Sequence, residues 1–158
     1  MSAVEDRLKE LGLTVPEVAK PVAAYVPALL DGRRVYTSGQ LPMVDGELAA
    51  IGKVGHGDGC IDPEKAAELA QVCALNAIAA VKSVVGDLDK VAQVVKVVGF
   101  VASDPSFTGQ PGVINGASEL LGKAFADAGV HARSAVGVAV LPMDAPVEVE
   151  IIVALADD

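Results

Sequence analysis

A run of apolar, mostly β-branched residues, VAQVVKVVGFVA from Val91 to Ala102, constrains this chain more than any other stretch. Only Gln93, Lys96 and Gly99 interrupt it. Branched side chains are stiff at χ1 and pack well on a pleated surface. A strand that is apolar on both faces must be covered on both, so the run predicts a strand buried on both faces. Its flanks supply helices. Before it, Asp62-Pro63-Glu64 offers a capping side chain, a proline at the first helical position and an acid near the positive end of the dipole. That start predicts a helix to about Val85, stopped by Gly86. After the run, Asp104-Pro105 opens a loop, and a second helix is expected from about Val113 to Ala128, stopped by Gly129.

Turn signals mark the remaining strands. Asp31-Gly32 precedes an alternating segment from Arg33 to Ser38, and Asp45-Gly46 returns the chain from Leu48 to Ile51. Two more strands are expected at 135–141 and 147–155. In the last, Val147, Val149, Ile151, Val153 and Leu155 share one face, and Glu148, Glu150, Ile152 and Ala154 the other. The order β-β-β-α-β-α-β-β predicts a single α+β domain over residues 1–158, with one mixed sheet and two helices on one face. Residues 1–20 read as an N-terminal helical extension. Val4 to Leu11 has helical spacing, Gly12 ends it, and prolines 16, 21 and 27 keep the following chain extended or turned.

Composition says how such a domain is covered. The hydrophobic fraction is 52% and the mean hydropathy +0.47, yet aromatics make up only 3%, so the core must come from Val, Ala, Leu and Ile. The sheet face opposite the helices would still carry Ile152 and part of the 91–102 run. Burial of that face against further copies of the chain predicts a homo-oligomer. No segment reads as the roughly 18 uncharged apolar residues of a membrane span, and the N-terminus lacks a secretory pattern. Cys60 and Cys73 have no metal-ligand or redox spacing, so a reducing cytoplasm is expected. A net charge of −9 opposes phosphate-backbone binding, and no nucleic-acid partner is expected.

Candidate site residues are few. Arg133, in Ala132-Arg133-Ser134 just before an expected strand, carries a planar fork of donors that matches a carboxylate. Glu148, inside the last strand, is a candidate proton handler or water positioner. The plain alternatives are a structural ion pair for Arg133 and a solvated outer-face acid for Glu148. Asn115 suits a cap near the start of its helix, Tyr25 suits ordinary core, and Ser38 has no histidine beside it for a nucleophilic triad. The loop GKVGHGDGC at 52–60 lacks the spacing and the Ser or Thr of a phosphate cradle. His56 reads as solvated; His131 stands two residues before Arg133 and can line its site. Two isolated histidines do not suggest a metal centre. If the chain reverses near Asp144, Arg133 and Glu148 are offset by about seven residues, roughly 23 Å. A shared site would then need Glu148 from a neighbouring subunit.

Val35-Tyr36-Thr37-Ser38-Gly39-Gln40-Leu41-Pro42, the segment around Asn115, Ala132-Arg133-Ser134, Leu141-Pro142 and Val147-Glu148-Val149-Glu150 together resemble the Rid family. These are reactive-intermediate deaminases, also called YjgF-like, many labelled endoribonuclease L-PSP. The resemblance runs from about Pro21 to Ala154. It implies a chorismate-mutase-like α+β fold and a homotrimer with clefts between subunits. It also implies cofactor-free hydrolysis of enamines and imines, such as 2-aminoacrylate and 2-iminopropionate, to 2-keto acids and ammonia. By position, Arg133 matches the arginine that grips the substrate carboxylate and Glu148 the acid associated with the attacking water. Tyr25 and Asn115 match cleft residues, and Ser38 and Gly39 the pocket floor. Members near the deaminase archetype carry cysteine where Ala135 stands and often an acid where Gly137 stands. With the N-terminal helix and a longer 44–62 loop, these departures mark a divergent subgroup. The leading reading is a deaminase. A metabolite-binding trimer for small carboxylates is the second, and a ribonuclease, disfavoured by the acidic charge, the third.

Overall fold

The computed structural model describes residues 1–18 and 24–158, so the expectation for Pro21 lies outside the described residues. Helix α1 spans Ala3–Glu10, and strands β1 (Ala28–Asp31) and β2 (Arg34–Thr37) form a hairpin. A minor hairpin follows, β3 (Met43–Val44) with β4 (Glu47–Leu48). Next come α2 (Pro63–Val85), β5 (Val91–Ala102), α3 (Gln110–Phe125), β6 (Ala132–Val138) and β7 (Val147–Leu155). The main sheet has the order β1-β2-β7-β5-β6, with β6 parallel to β5 and the other pairs antiparallel.

The helix starts follow from local chemistry. Asp62 accepts a hydrogen bond from the Glu64 backbone N–H at 2.8 Å, Pro63 opens α2, and Gly86 closes it at φ +77°. α2 and α3 cover one face, onto which Val94, Val97, Val101, Val147, Val149, Ile151 and Val153 are buried. α2 is long and apolar enough, by length and composition, to span a bilayer, which the sequence reading did not register. In the fold it is a core helix, with Leu69, Ala70, Cys73, Ala77 and Ile78 buried. α1 joins the same apolar cluster through Val4 and Leu8. Its first N–H groups meet the Asp89 carboxylate, Ala3 N at 2.9 Å and Val4 N at 3.3 Å, while Arg7 donates to Ala124 O at 3.0 Å. The helix therefore fastens the end of α3 to the turn before β5.

Four expectations need correction. The segment from Leu48 to Ile51 does not join the main sheet; only Glu47–Leu48 pair, with β3. The buried Asn76 side chain holds this loop by donating to Leu41 O and Met43 O. The second helix begins three residues earlier than expected, with Pro111 in its first turn, and ends at Phe125 before a 3-10 turn. β6 begins at Ala132 and ends at Val138, so Arg133 lies inside a strand rather than before it. The charge is tolerated there because Asn115, Ser118 and the Pro111 carbonyl of α3 accept from the guanidinium.

The fourth correction concerns the expected offset of about seven residues between Arg133 and Glu148. β5 separates β6 from β7, and residues 139–146 bend around its end instead of extending β6. Val97 pairs with both Arg133 and Ile151, while Phe100 pairs with Glu148. The axial offset is therefore that of Ile151 and Glu148, about 10 Å at the usual strand rise, and the lateral separation is two strand spacings, about 10 Å.

Opposite the helices, no described element covers the sheet face, which is largely apolar. Leu29, Tyr36 and Val136 are exposed, and Val98, Phe100 and Ile152 are partly so. Glu148, Glu150 and Lys96 stand among them.

Candidate functional site

Two clusters of candidate residues form in one chain. The first is built on β6 and α3. Arg133 pairs in register with the core residue Val97, so its side chain leaves the sheet on the helix-covered side. There its Nη1 donates to Asn115 Oδ1 at 2.8 Å and to Ser118 Oγ at 3.2 Å, and its Nη2 donates to Pro111 O at 3.0 Å. Positions 111, 115 and 118 recur at helical spacing, so one stripe of α3 supplies all three acceptors. A guanidinium has five N–H donors. Three are directed at α3, which leaves Nε–H and one Nη2–H, the number that a two-point carboxylate contact uses.

His131 extends this cluster. Its Nδ1 lies 2.6 Å from Gly129 O and its Nε2 2.9 Å from Ser118 Oγ. His131 thus reaches Arg133 through Ser118. By contrast, His56 in the glycine-rich loop packs edge-on against Phe107, with ring centroids 5.7 Å apart.

The second cluster lies on the open face. Glu148 is half-buried beside the strand end that carries Ser38, Gly39 and Gln40. A Cβ on Gly39 would collide with Glu148 Oε1, so this carboxylate occupies the space a side chain would take. Gln40 fixes the strand end by exchanging backbone hydrogen bonds with Val149, at 2.8 and 3.0 Å. Ser38 donates its hydroxyl to Val26 O at 2.6 Å, which ties down the segment carrying Tyr25. The Tyr25 ring is half exposed. Burial pushes the Glu148 carboxyl above its ordinary value, and the neighbouring Glu150 charge adds to the effect. On the other face the fully buried Cys73 thiol is also pushed up, first by burial and then by the charge of Glu148.

The fold therefore brings Arg133 to Asn115, and Glu148 to Gly39 and the Ser38 strand end. It does not bring the two clusters together within one chain. Sequence reasoning missed Ser118, the Pro111 carbonyl and Gln40. The stripe from Pro111 through Asn115 to Ser118 was the available signal for the first two. Among the described residues no group of three or more His, Cys, Asp and Glu side chains is gathered to hold a metal.

A mixed sheet with two helices on one face, an edge-strand arginine braced by the second helix and an acid on the open face define a YjgF-type α+β domain. The chain belongs to that family: residues 5–155 match the family model described as "YjgF/chorismate mutase-like, putative endoribonuclease". Protein TCP17 of Trypanosoma cruzi is 41% identical over 153 residues, covering 96% of this chain and 94% of TCP17. Among solved structures, Atu1372 of Agrobacterium tumefaciens, described as of unknown function, is 46% identical with a TM-score of 0.90, over 98% of this chain and 93% of that one. E. coli TdcF with bound serine is 25% identical with a TM-score of 0.63, over 89% and 94%.

Proposed function

We propose that this protein is a hydrolytic deaminase of small imino or enamino acids, working in clefts between copies of a homotrimer. The observation that carries the reading is the Arg133 cluster: a guanidinium braced by three α3 acceptors, with two donors left for a carboxylate. TdcF, a relative by fold and sequence, holds serine, a ligand with the same α-carboxylate. Glu148 lies on the opposite sheet face, so a site using both groups needs Arg133 from one copy and Glu148 from the next. The apolar open face around Glu148 supplies a surface for that assembly.

In this mechanism Arg133 grips the carboxylate and sets the imine carbon toward Glu148. With the imine protonated on nitrogen, ionised Glu148 orients a water and accepts its proton as the oxygen adds to the C=N carbon, which gives a neutral carbinolamine. Glu148 passes that proton to nitrogen and takes the hydroxyl proton as C=O forms and the C–N bond breaks, so that ammonia and a 2-keto acid leave and the last proton passes to water. An imine carbon is already electrophilic, so orientation supplies most of what the protein must add. No cofactor takes part. The two free thiols, Cys60 and Cys73, suit a reducing compartment, and we assign the protein to the cytoplasm on that basis.

A second reading, a trimer that binds small carboxylates without turnover, is favoured by one observation. The Arg133 cluster is complete within a single chain, so a carboxylate contact does not require Glu148. A ribonuclease has less support, because a net charge of −9 repels a phosphate backbone. The test is to generate 2-iminopropionate with an amino-acid oxidase and follow the residual imine by semicarbazide trapping. Faster loss of imine with wild type but not with Arg133→Ala supports the deaminase. Unchanged trapping together with pyruvate binding supports the carboxylate binder.

A further inference from the structure

We infer that His131 is a positioning residue that sets the direction of the Arg133 fork through Ser118. The inference rests on the carboxylate-gripping role proposed for Arg133, and it follows from the direction of each hydrogen bond in a chain of three. Gly129 O can only accept, so at 2.6 Å the His131 Nδ1 must carry the proton. In the neutral ring Nε2 is then bare. Ser118 Oγ, 2.9 Å away, must donate its hydroxyl proton to it. With that proton committed to His131, the serine oxygen presents lone pairs to Arg133 Nη1 at 3.2 Å.

The alternative for a helical serine is to donate back to the carbonyl four residues earlier, which would turn its lone pairs elsewhere. His131 removes that alternative. It is held in turn by the backbone of the 3-10 turn at Ala126–Gly129, not by another mobile side chain. Asn115 Oδ1 and Pro111 O then fix the rest of the guanidinium. The free donors, Nε–H and one Nη2–H, therefore point in one direction before any ligand arrives. Pre-organisation of this kind acts on ligand affinity, since less side-chain freedom is lost on binding.

The experiment compares wild type with Ser118→Ala, Ser118→Thr, His131→Phe and His131→Gln. Pyruvate affinity is measured by NMR titration, and two side-chain NMR signatures are recorded on the free proteins. Losing one such hydrogen bond is expected to weaken pyruvate binding about tenfold in Ser118→Ala and His131→Phe. Ser118→Thr and His131→Gln, which keep a hydroxyl and an acceptor, are expected to stay within about threefold of wild type. In imine hydrolysis the loss should appear in KM and, because Arg133 also sets the imine carbon toward Glu148, in kcat as well. Two-bond proton–nitrogen spectra should show the Nδ1–H tautomer of His131 in wild type. The restricted guanidinium rotation of Arg133 should be lost in Ser118→Ala and His131→Phe.

An Nε2–H tautomer overturns the inference, as does wild-type affinity and Arg133 rotation in both disrupting variants. Failure of the parent reading looks different: wild type itself would not bind pyruvate or consume imine. The tautomer and the Arg133 rotation then still decide whether His131 orients the fork.

Discussion

Arg133 and Glu148 lie on opposite faces of the same sheet. Arg133 is in register with the buried Val97 and Glu148 with the outward-facing Phe100. No side-chain rotation brings the two together in one chain. Joint action therefore requires a second copy that presents its open face to the first copy's β6–α3 edge.

This predicts complementation between two inactive variants. Arg133→Ala and Glu148→Gln should each lose imine hydrolysis. When the two are mixed in equal amounts, unfolded and refolded together, about a quarter of clefts in a cyclic assembly pair an intact arginine with an intact glutamate. Activity should return to about that fraction of wild type. Mixing without subunit exchange should restore nothing. No recovery after verified co-assembly would show that the two residues do not share a cleft.

Glu148 should also make stability depend on pH. Its folded-state pKa is raised by burial and by Glu150. Relative to the unfolded chain, its contribution is fully present below the ordinary value of 4.5 and is lost as pH rises through the raised folded value. Glu148→Gln removes the penalty of a half-buried charge. The variant should therefore melt higher than wild type at pH 7, with the gap narrowing toward pH 4. Calorimetry at both pH values checks this, and a gap that widens on acidification contradicts it. If the charged form positions the water, activity should instead rise with pH through the same titration.

The N-terminal helix gives the opposite sign. Glu5 pairs with Lys82, accepts from Ser2 and is held at about 2. Its stabilisation is complete above the ordinary 4.5 and is lost as pH falls toward 2. Glu5→Gln keeps the capping geometry and removes the charge. It should cost about 1 kcal/mol at neutral pH, the upper end for a partly exposed pair, and progressively less as pH falls through about 2. Leu8→Ala, at a fully buried position, should cost about 2–5 kcal/mol at either pH. Urea melts of the two variants separate the charge from the packing.

Much of this architecture was legible because local chemistry writes it directly. The β-branched run gave a long interior strand, although only its helix-covered face is fully buried in one chain; Asp62-Pro63-Glu64 and Gly86 gave the ends of α2, and alternation along 147–155 put Glu148 on the face opposite the core. The position of β6 was not legible. Its pairing is parallel and follows a crossover through α3, and no local pattern reports which strand a distant segment will join. The seven-residue offset holds only for a chain that reverses directly near Asp144. Instead Met143 and Asp144 adopt positive φ, 60° and 59°, in a turn that carries the chain around the end of β5. Arg133 was recognised by its chemistry, but its partners Ser118 and Pro111 needed the α3 stripe to be aligned with β6.

Two glycines separate what the site needs from what the fold needs. At Gly39 an added Cβ meets the Glu148 carboxylate, the far end of a flexible side chain that can swing away. At Gly116 it meets the Ala67 carbonyl oxygen, which is backbone of α2 and cannot yield without separating the helices. Gly39→Ala should therefore leave stability within about 1 kcal/mol of wild type and lower kcat at least about tenfold, because the carboxylate loses its position. Gly116→Ala should cost about 3 kcal/mol or more as an overpacked helix contact. Its residual folded fraction should keep wild-type turnover per molecule. Thermal melts with active-site-normalised rates test both. A Gly39→Ala variant with full activity would mean that Glu148 does its work from more than one position, or does none.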